Sequence, residues 1–149
     1  MTLQEWFARY SESHKNPTNK RIHYICVPLI YYSIAGMLFP ISVPGVPEAN
    51  LTALLMLISL LFYLSLSSFL ALLMGAFNAA IYFSLYHWAA WSPFPMVQSN
   101  LLIFVMAWIG QFIGHKIEGK KPSFFDDLKF LLIGPAWVAM ELVPGRSRK

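Results

Sequence analysis

The sequence predicts an all-α integral membrane protein: a helical bundle of about four spans in a single membrane domain over residues 1–149. Of its residues 57% are apolar and only 12% are charged, too few charges to cover a soluble protein of this size. The apolar residues run in blocks without the periodicity that gives a helix or strand a polar side. Between Ile22 and His115 there is no lysine or arginine, and a cation in hydrocarbon costs roughly 2.5 to 3.5 kcal/mol on insertion scales. Lipid is therefore the expected solvent.

The predicted spans are separated by breaks rich in proline, glycine or serine. The first span runs from Tyr24 to Pro40, a long apolar run from Leu51 to Tyr86 follows, and the last runs from Met96 to Gly114. At 1.5 Å per residue the middle run would be roughly 54 Å long as one helix, whereas a bilayer core is about 30 Å thick. We therefore predict a hairpin of two short spans, with the turn near the serines of the 65–68 segment.

This hairpin decides which parts of the chain share a membrane face. Four spans return the chain to its starting side, so the basic segments Arg9–Arg21 and Lys116–Lys129 lie on one face. The positive-inside rule favours this arrangement, because the loops Pro40–Asn50 and Trp88–Pro95 carry no lysine or arginine and then lie outside. A single long helix would instead place the two basic segments on opposite faces.

Both ends of the chain are predicted to lie at the membrane surface. Met1–Tyr10 has apolar residues at helical spacing between charged ones, which is typical of an interfacial amphipathic helix rather than of a signal peptide. Phe130–Val143 is apolar but short, contains Gly134-Pro135 and is followed at once by three cations. A fifth crossing would place those cations outside, so we expect a C-terminal re-entrant or interfacial helix with a capping-box-like start at Ser123–Asp126.

Four histidines are the main candidates for chemistry. His14 and His23 flank a turn-forming segment around Pro17 just before the first span, and His115 follows the last span. The predicted topology brings these three to one face, and three imidazoles at one depth suit a first-row metal ion. His87 ends the third span near the opposite face, so topology alone leaves it out. The alternative for each histidine is a hydrogen-bonded residue at the headgroup level.

Other polar residues surround the predicted histidine site. Glu118 lies one turn after His115 on the same helical face, as a candidate ligand or as an acceptor that orients an imidazole. Its alternative role is a solvated partner of Lys121 or Lys15. Gln111 lies one turn before His115 and can reach the same site. The lysines and arginines on this face are attributed mainly to topology and to anionic lipid headgroups, and no nucleic-acid partner is expected.

Two blocks of sequence resemble the signatures of a known family. The first block is His14-Lys15-Asn16-Pro17-Thr18-Asn19, followed by Ile22-His23 and Val27-Pro28. The second block is Gly110-Gln111-Phe112-Ile113-Gly114-His115, followed by Glu118, Lys121-Pro122, Asp126, Gly134-Pro135 and Glu141. Together they are similar to the small membrane proteins typified by the yeast 2-hydroxy fatty acid dioxygenase of the endoplasmic reticulum. The resemblance extends from about Trp6 to Glu141.

The resemblance implies an activity, a cofactor and a site. The family carries out iron(II)-dependent fatty acid α-oxidation, in which a 2-hydroxy fatty acid reacts with O2 and is shortened by one carbon. Carried onto this chain, His14, His23 and His115 hold Fe(II), and Glu118 joins them in the catalytic set. His87 becomes a further metal ligand, because the family also has a histidine near the end of the third hydrophobic segment. The implied substrate-binding residues are Lys15, Asn19, Gln111 and Lys121. The acyl chain would lie between the helices, among membrane lipids.

Other function classes fit the residues less well. Membrane di-iron desaturases and hydroxylases hold two metals and need more histidines than this chain has. A bis-histidine haem protein needs two histidines facing each other inside the bundle, whereas three of these four lie at span ends. The single cysteine, Cys26, excludes an internal disulfide and a multi-cysteine metal site. The remaining alternative is a membrane scaffold or lipid-binding protein with interfacial histidines. The expected host is a bacterial inner membrane, or the endoplasmic reticulum membrane if the chain is eukaryotic.

Overall fold

The computed structural model describes residues 1–122 and 129–145, which are mostly helical. In chain order the elements are helices α1 Leu3–Ser11 and α2 Pro17–Leu38, strands β1 Ser42–Val43 and β2 Val46–Asn50, and helices α3 Leu51–Leu66, α4 Ser68–Trp91, α5 Met96–Glu118 and α6 Phe130–Glu141. The helical fold class is confirmed, with one short antiparallel β-hairpin in addition. The predicted helix start at Ser123–Asp126 and the three cations Arg146, Arg148 and Lys149 lie outside the described residues.

In the described part of the chain three helices are long and apolar enough to cross a membrane, and they indicate membrane association. They are α2, α4 and α5, with 22, 24 and 23 residues. Helices α3 and α6 are also apolar but have only 16 and 12 residues. At 1.5 Å per residue α6 is roughly 18 Å long, which agrees with the expectation that it does not cross. The count of about four spans stays a prediction because it depends on whether α3 crosses.

The long middle run forms two helices that separate at Ser67, as predicted. Ser67 has extended backbone, and its side chain accepts a hydrogen bond from the first turn of α4. The two helices pack antiparallel, since Asn78 Nδ2 donates to Ser59 Oγ at 3.0 Å and Gly75 of α4 lies against Leu60 of α3. The hairpin that the length of this run required is therefore confirmed.

Helices α2 and α5 extend beyond the spans predicted for them, for the same physical reason. Helix α2 begins at Pro17 rather than at Tyr24, and α5 ends at Glu118 rather than at Gly114. Charged residues limit the part of a helix that lies in hydrocarbon, but they do not end the helix itself. Proline is also favoured at the first helical position, because it has no N–H to leave unpaired and its φ is already helical. His23, His115 and Glu118 consequently project from regular helix.

The chain packs into two compact units. The first contains Met1–Tyr31 together with the described residues from Val105 onwards, and the second contains Tyr32–Phe104. In the first unit, α1 has a capping box at Thr2 and confirms the predicted N-terminal helix. Its buried Trp6 packs edge-on against Phe130 of α6, with ring centroids 5.7 Å apart. This unit contains every feature of the site described next.

Candidate metal centre

Three histidines that are far apart in the sequence lie together in the first unit. One ring nitrogen from each of His14, His23 and His115 lies within 4.8 Å of the other two, and all three side chains are buried. Their ring centroids are separated by 4.3, 4.7 and 5.1 Å. Among the described residues these three could hold a metal ion. The structure thus brings together the three histidines that topology placed on one face.

Two glycines of α5 let that helix approach α2 closely. A Cβ atom on Gly114 would overlap the side-chain oxygen of Asn19, and a Cβ atom on Gly110 would lie 2.6 Å from the Cys26 sulfur. Glycines four residues apart share one helix face, and small residues at this spacing allow close helix packing in membranes. The close approach sets the imidazoles of α2 and α5 side by side.

Backbone carbonyl groups fix the proton positions on two of the rings. His14 Nδ1 lies 2.6 Å from the Tyr10 carbonyl oxygen, and His23 Nδ1 lies 2.8 Å from the Asn19 carbonyl oxygen. A carbonyl oxygen can only accept, so each Nδ1 carries the proton and each Nε2 presents its lone pair. Histidines that bind metals commonly donate their other ring N–H to a carbonyl in this way.

The remaining ring nitrogens fit a bound cation. His14 Nε2 and His115 Nδ1 are buried without a hydrogen-bond partner in the described part of the chain. His23 Nε2 lies 3.0 Å from His115 Nε2. If His115 carries its proton on Nε2, it donates to His23 and leaves a buried lone pair on Nδ1. If the proton is on Nδ1, His115 Nε2 presents a second lone pair beside that of His23. At this separation both nitrogens could bind one ion at the usual bond length of about 2.0 to 2.1 Å. Imidazole nitrogens suit first-row ions such as iron and zinc.

Burial keeps His14 in the neutral form that can bind a metal. This residue lies between α1 and α2, where loss of hydration lowers its pKa to about 4, against the opposing effect of its hydrogen bond with Tyr10. Tyr10 stacks on the imidazole with ring centroids 4.2 Å apart, and burial raises the pKa of its hydroxyl. At neutral pH the pair is therefore uncharged.

Glu118 anchors the loop that carries His14. One carboxylate oxygen accepts from the backbone N–H of Lys15 at 2.9 Å. The other accepts from the backbone N–H of Asn16 at 2.7 Å and from the Asn19 amide at 3.1 Å. Sequence reasoning identified this residue as a ligand or an imidazole acceptor, whereas these contacts orient the loop instead. Its place in the catalytic set stays a prediction. The contacts support an indirect effect of Glu118 on the histidines, through the loop that carries His14.

The predicted substrate-binding residues divide into two pairs. Asn19 and Gln111 are buried beside the histidines; Asn19 Nδ2 also donates to a backbone carbonyl at 3.1 Å, and Gln111 reaches the His23 ring. Lys15 and Lys121 are exposed, where an anionic group can approach them. The structure therefore leaves the two lysines accessible and uses Asn19 to hold the loop. Their roles towards a substrate stay predictions.

His87 is not part of the three-histidine cluster. It lies on α4 in the second unit, with an exposed side chain. Its ring contacts Phe83 and Tyr86, with centroids 4.3 and 5.7 Å away. The resemblance implied that His87 is a further metal ligand, and this role stays a prediction.

Trp137 borders the cluster and was not identified from the sequence. Its ring centroid lies 5.5 Å from that of His14, and its indole N–H donates to Ser11 Oγ at 3.0 Å. Lys20 Nζ lies 5.4 Å above the same ring and 3.9 Å from Glu141. The signal that could have found it is its position as the tryptophan of the short apolar run Phe130–Val143.

An apolar cavity adjoins the three histidines. It is lined by Tyr10, His14, His23, Val27, Ile30, Tyr31, Trp108, Gln111, His115, Pro122, Phe130, Leu131, Gly134 and Pro135. All of these residues belong to the first unit. A mostly apolar cavity with a few converging polar groups is the usual form of a small-molecule site.

Replacing Glu118 with glutamine should weaken metal binding, because an amide offers one acceptor oxygen and turns an NH2 group towards backbone donors. We expect the affinity of the purified protein for a divalent ion to fall about ten-fold, as for other groups that orient metal ligands. A metal titration of Glu118→Gln measures this. Glu12→Gln removes a charge from an exposed side chain and serves as the control. Equal affinities for both variants would show that the loop anchor does not affect the histidines.

Comparison with known proteins gives two matches. The family model described as "2-hydroxy-palmitic acid dioxygenase Mpo1-like" matches residues 1–145. The chain is similar to the 2-hydroxy-palmitic acid dioxygenase MPO1 of Saccharomyces cerevisiae, with 29% identity over 145 residues that cover 96% of this chain and 80% of the yeast protein. No solved structure matches.

Proposed function

The chain belongs to the 2-hydroxy-palmitic acid dioxygenase Mpo1-like family, and we propose that it is an iron(II)-dependent dioxygenase that shortens 2-hydroxy fatty acids by one carbon. The observation that carries this proposal is the cluster of three buried histidines with converging ring nitrogens. The cavity beside it is mostly apolar. A polar, metal-binding end with an apolar remainder matches a fatty acid that carries a carboxylate and a neighbouring hydroxyl.

The donor set supports an anionic substrate. Three neutral imidazoles do not compensate the charge of a divalent ion, so the site attracts a carboxylate. His14, His23 and His115 would hold Fe(II), which would supply the Lewis acid and the O2 chemistry that the reaction needs. The exposed amines of Lys15 and Lys121 add positive charge near the loop and the end of α5 that carry two of the histidines.

The proposed reaction balances without an external reductant. A 2-hydroxy acid, R–CH(OH)–COOH, and O2 give R–COOH, CO2 and H2O when the bond between C1 and C2 breaks. The substrate loses four electrons in this cleavage, and one O2 accepts all of them. The chain therefore needs to supply only the metal ligands, a position for the substrate and a site shielded from water.

Residues around the cluster provide that shielding. Tyr10 covers one face of His14, and the buried Trp137 lies against the same ring. Gln111 and Asn19 are buried polar side chains on the same two helices as His115 and His23. We place the reaction at a membrane, bacterial inner membrane or endoplasmic reticulum, with membrane lipids around the apolar helices.

Anaerobic reconstitution with Fe(II) tests the function. The wild-type protein should bind about one ion per chain, the stoichiometry expected of a single three-histidine site. With 2-hydroxypalmitate it should consume O2 and release CO2 and pentadecanoate in equal amounts, with no added reductant. Palmitate, which lacks the hydroxyl, should give no O2 uptake. A protein that binds no iron and consumes no O2 would instead favour a membrane scaffold or lipid-binding protein.

A further inference from the structure

We propose that the cavity beside the histidines holds the substrate's alkyl chain along the facing sides of α2 and α5, and that Ile30 sets the length of chain that fits. This inference rests on the proposed function for the identity of the polar head group. It goes further by assigning a direction to the chain and a residue that determines specificity.

The lining residues of each helix lie on a single face. On α2, His23, Val27 and Ile30 follow one another at intervals of four and three residues, and Tyr31 continues the same stripe. On α5 the lining stripe is His115, Gln111 and Trp108, again at intervals of four and three. The helices run antiparallel at their glycine contact, where Gly110 meets Cys26 and Gly114 meets Asn19. Both stripes therefore lead away from the imidazoles in the same direction.

The polarity of the cavity changes along this direction. The two helices contribute imidazoles and the Gln111 amide at one end. At the other end they contribute Val27, Ile30, Tyr31 and Trp108. Helix α6 adds Phe130, Leu131, Gly134 and Pro135, none of which has a polar side chain. This distribution fits an amphiphile whose head group reaches the histidines and whose chain lies against the apolar end.

Helix geometry gives the length of the enclosed part. From His23 to Ile30 is seven residues and to Tyr31 is eight, which is roughly 10 to 12 Å along the helix axis at 1.5 Å per residue. No residue of α2 beyond Tyr31 lines the cavity. Ile30 is 5% exposed and Tyr31 is 1% exposed, so the apolar end is closed by buried side chains. A larger side chain at position 30 would shorten the space available to the chain.

Neighbouring residues of α2 provide a matched pair of substitutions. Ile30 points into the cavity, whereas Leu29 is 41% exposed on the outer side of the same helix. Ile30→Trp should lower kcat/KM for 2-hydroxypalmitate relative to that for 2-hydroxyoctanoate by about ten-fold or more, the usual discrimination when a pocket loses space for apolar groups. Leu29→Trp adds the same side chain outside the cavity and should leave the ratio unchanged. Retained turnover of 2-hydroxyoctanoate shows that the variant folds.

The smaller variant Ile30→Ala keeps the test decisive if the tryptophan variant fails to fold. It enlarges the apolar end and should shift the same ratio towards the longer substrate. A ratio equal to the wild-type value in every folded variant at position 30 would overturn the proposal. Oxygen uptake by the wild type in that case would leave the proposed function standing.

A binding measurement on metal-free protein separates the two proposals. Palmitate brominated in the middle of its chain should quench the fluorescence of Trp108, identified by subtracting the signal of Trp108→Phe. Ile30→Trp cannot be used here because it adds a fluorophore, so Ile30→Phe takes its place and should reduce the Trp108 quenching, with Leu29→Phe as the control. Quenching that is absent in the wild type would overturn the assignment of the chain to this cavity. Quenching with this pattern in a protein that consumes no O2 would support the cavity and contradict the dioxygenase.

Discussion

Replacing His14, His23 or His115 with alanine, one at a time, should remove both the bound iron and the O2 uptake. The three ring nitrogens lie within 4.8 Å of one another, and the described residues offer no other histidine, cysteine or carboxylate to complete the group. Loss of a group that merely orients a ligand costs about 10- to 100-fold in metal affinity, so loss of a ligand should cost more. Metal analysis of each purified variant and O2 uptake with 2-hydroxypalmitate measure the two effects.

His87→Ala is the variant that distinguishes a three-histidine site from a site that includes His87. The sequence resemblance makes His87 a further ligand, whereas the structure places it on α4, outside the cluster and exposed. If only the three clustered histidines bind the iron, His87→Ala should keep its iron. Loss of iron in this variant would make His87 a ligand after all, and retention of iron in all three cluster variants would contradict the shared site.

Adding one methyl group to Gly114 should separate the two helices that carry His23 and His115. The new Cβ would overlap the Asn19 side-chain oxygen, and Asn19 cannot withdraw easily because its amide is held by Glu118 and by the Ser13 carbonyl. Overpacking of this kind costs typically about 1 to 3 kcal/mol. We expect Gly114→Ala to lower the thermal midpoint of unfolding and to bind iron much more weakly than the wild type.

Gly75→Ala is the matched control for this substitution. Gly75 also lies inside an apolar helix, but a Cβ atom there would meet Leu60 Cδ1 at 3.5 Å, an ordinary van der Waals distance. Alanine is about 1 kcal/mol better than glycine in a helix interior, so Gly75→Ala should keep its iron and unfold no earlier than the wild type. If Gly114→Ala behaves like Gly75→Ala in both measurements, close helix contact does not position the imidazoles.

Those parts of the fold that follow from a single physical limit were predictable from the sequence. The middle apolar run exceeds the thickness of a bilayer, and the break at Ser67 follows from that length alone. The absence of cations between Ile22 and His115 likewise identified the apolar helices. Helix ends were less predictable, because hydropathy locates the hydrocarbon and not the hydrogen-bonded backbone. The short strands Ser42–Val43 and Val46–Asn50 fell within a segment that proline and glycine marked only as a turn.

The clustering of the three histidines was predictable from the sequence, but the groups that support them were not. Pro17 indicated that the chain cannot continue as one helix from His14 to His23, and the topology then placed these two histidines and His115 on one side. The contacts of Glu118 with Lys15 and Asn16 could not be derived, because they join a side chain to backbone groups about a hundred positions away. The cavity wall from α6 was also beyond sequence reasoning, since periodicity does not indicate which helix a short apolar segment will contact.

The orienting carbonyl of each of two histidines lies four residues earlier in the same stretch of chain. Tyr10 provides it for His14, and Asn19 provides it for His23. For His23, which lies within regular helix, ring direction is thus a property of one local turn of backbone. For protein engineering this means that a designer could move His23 into another helical scaffold together with the four residues before it, and the imidazole would keep its Nε2 lone pair.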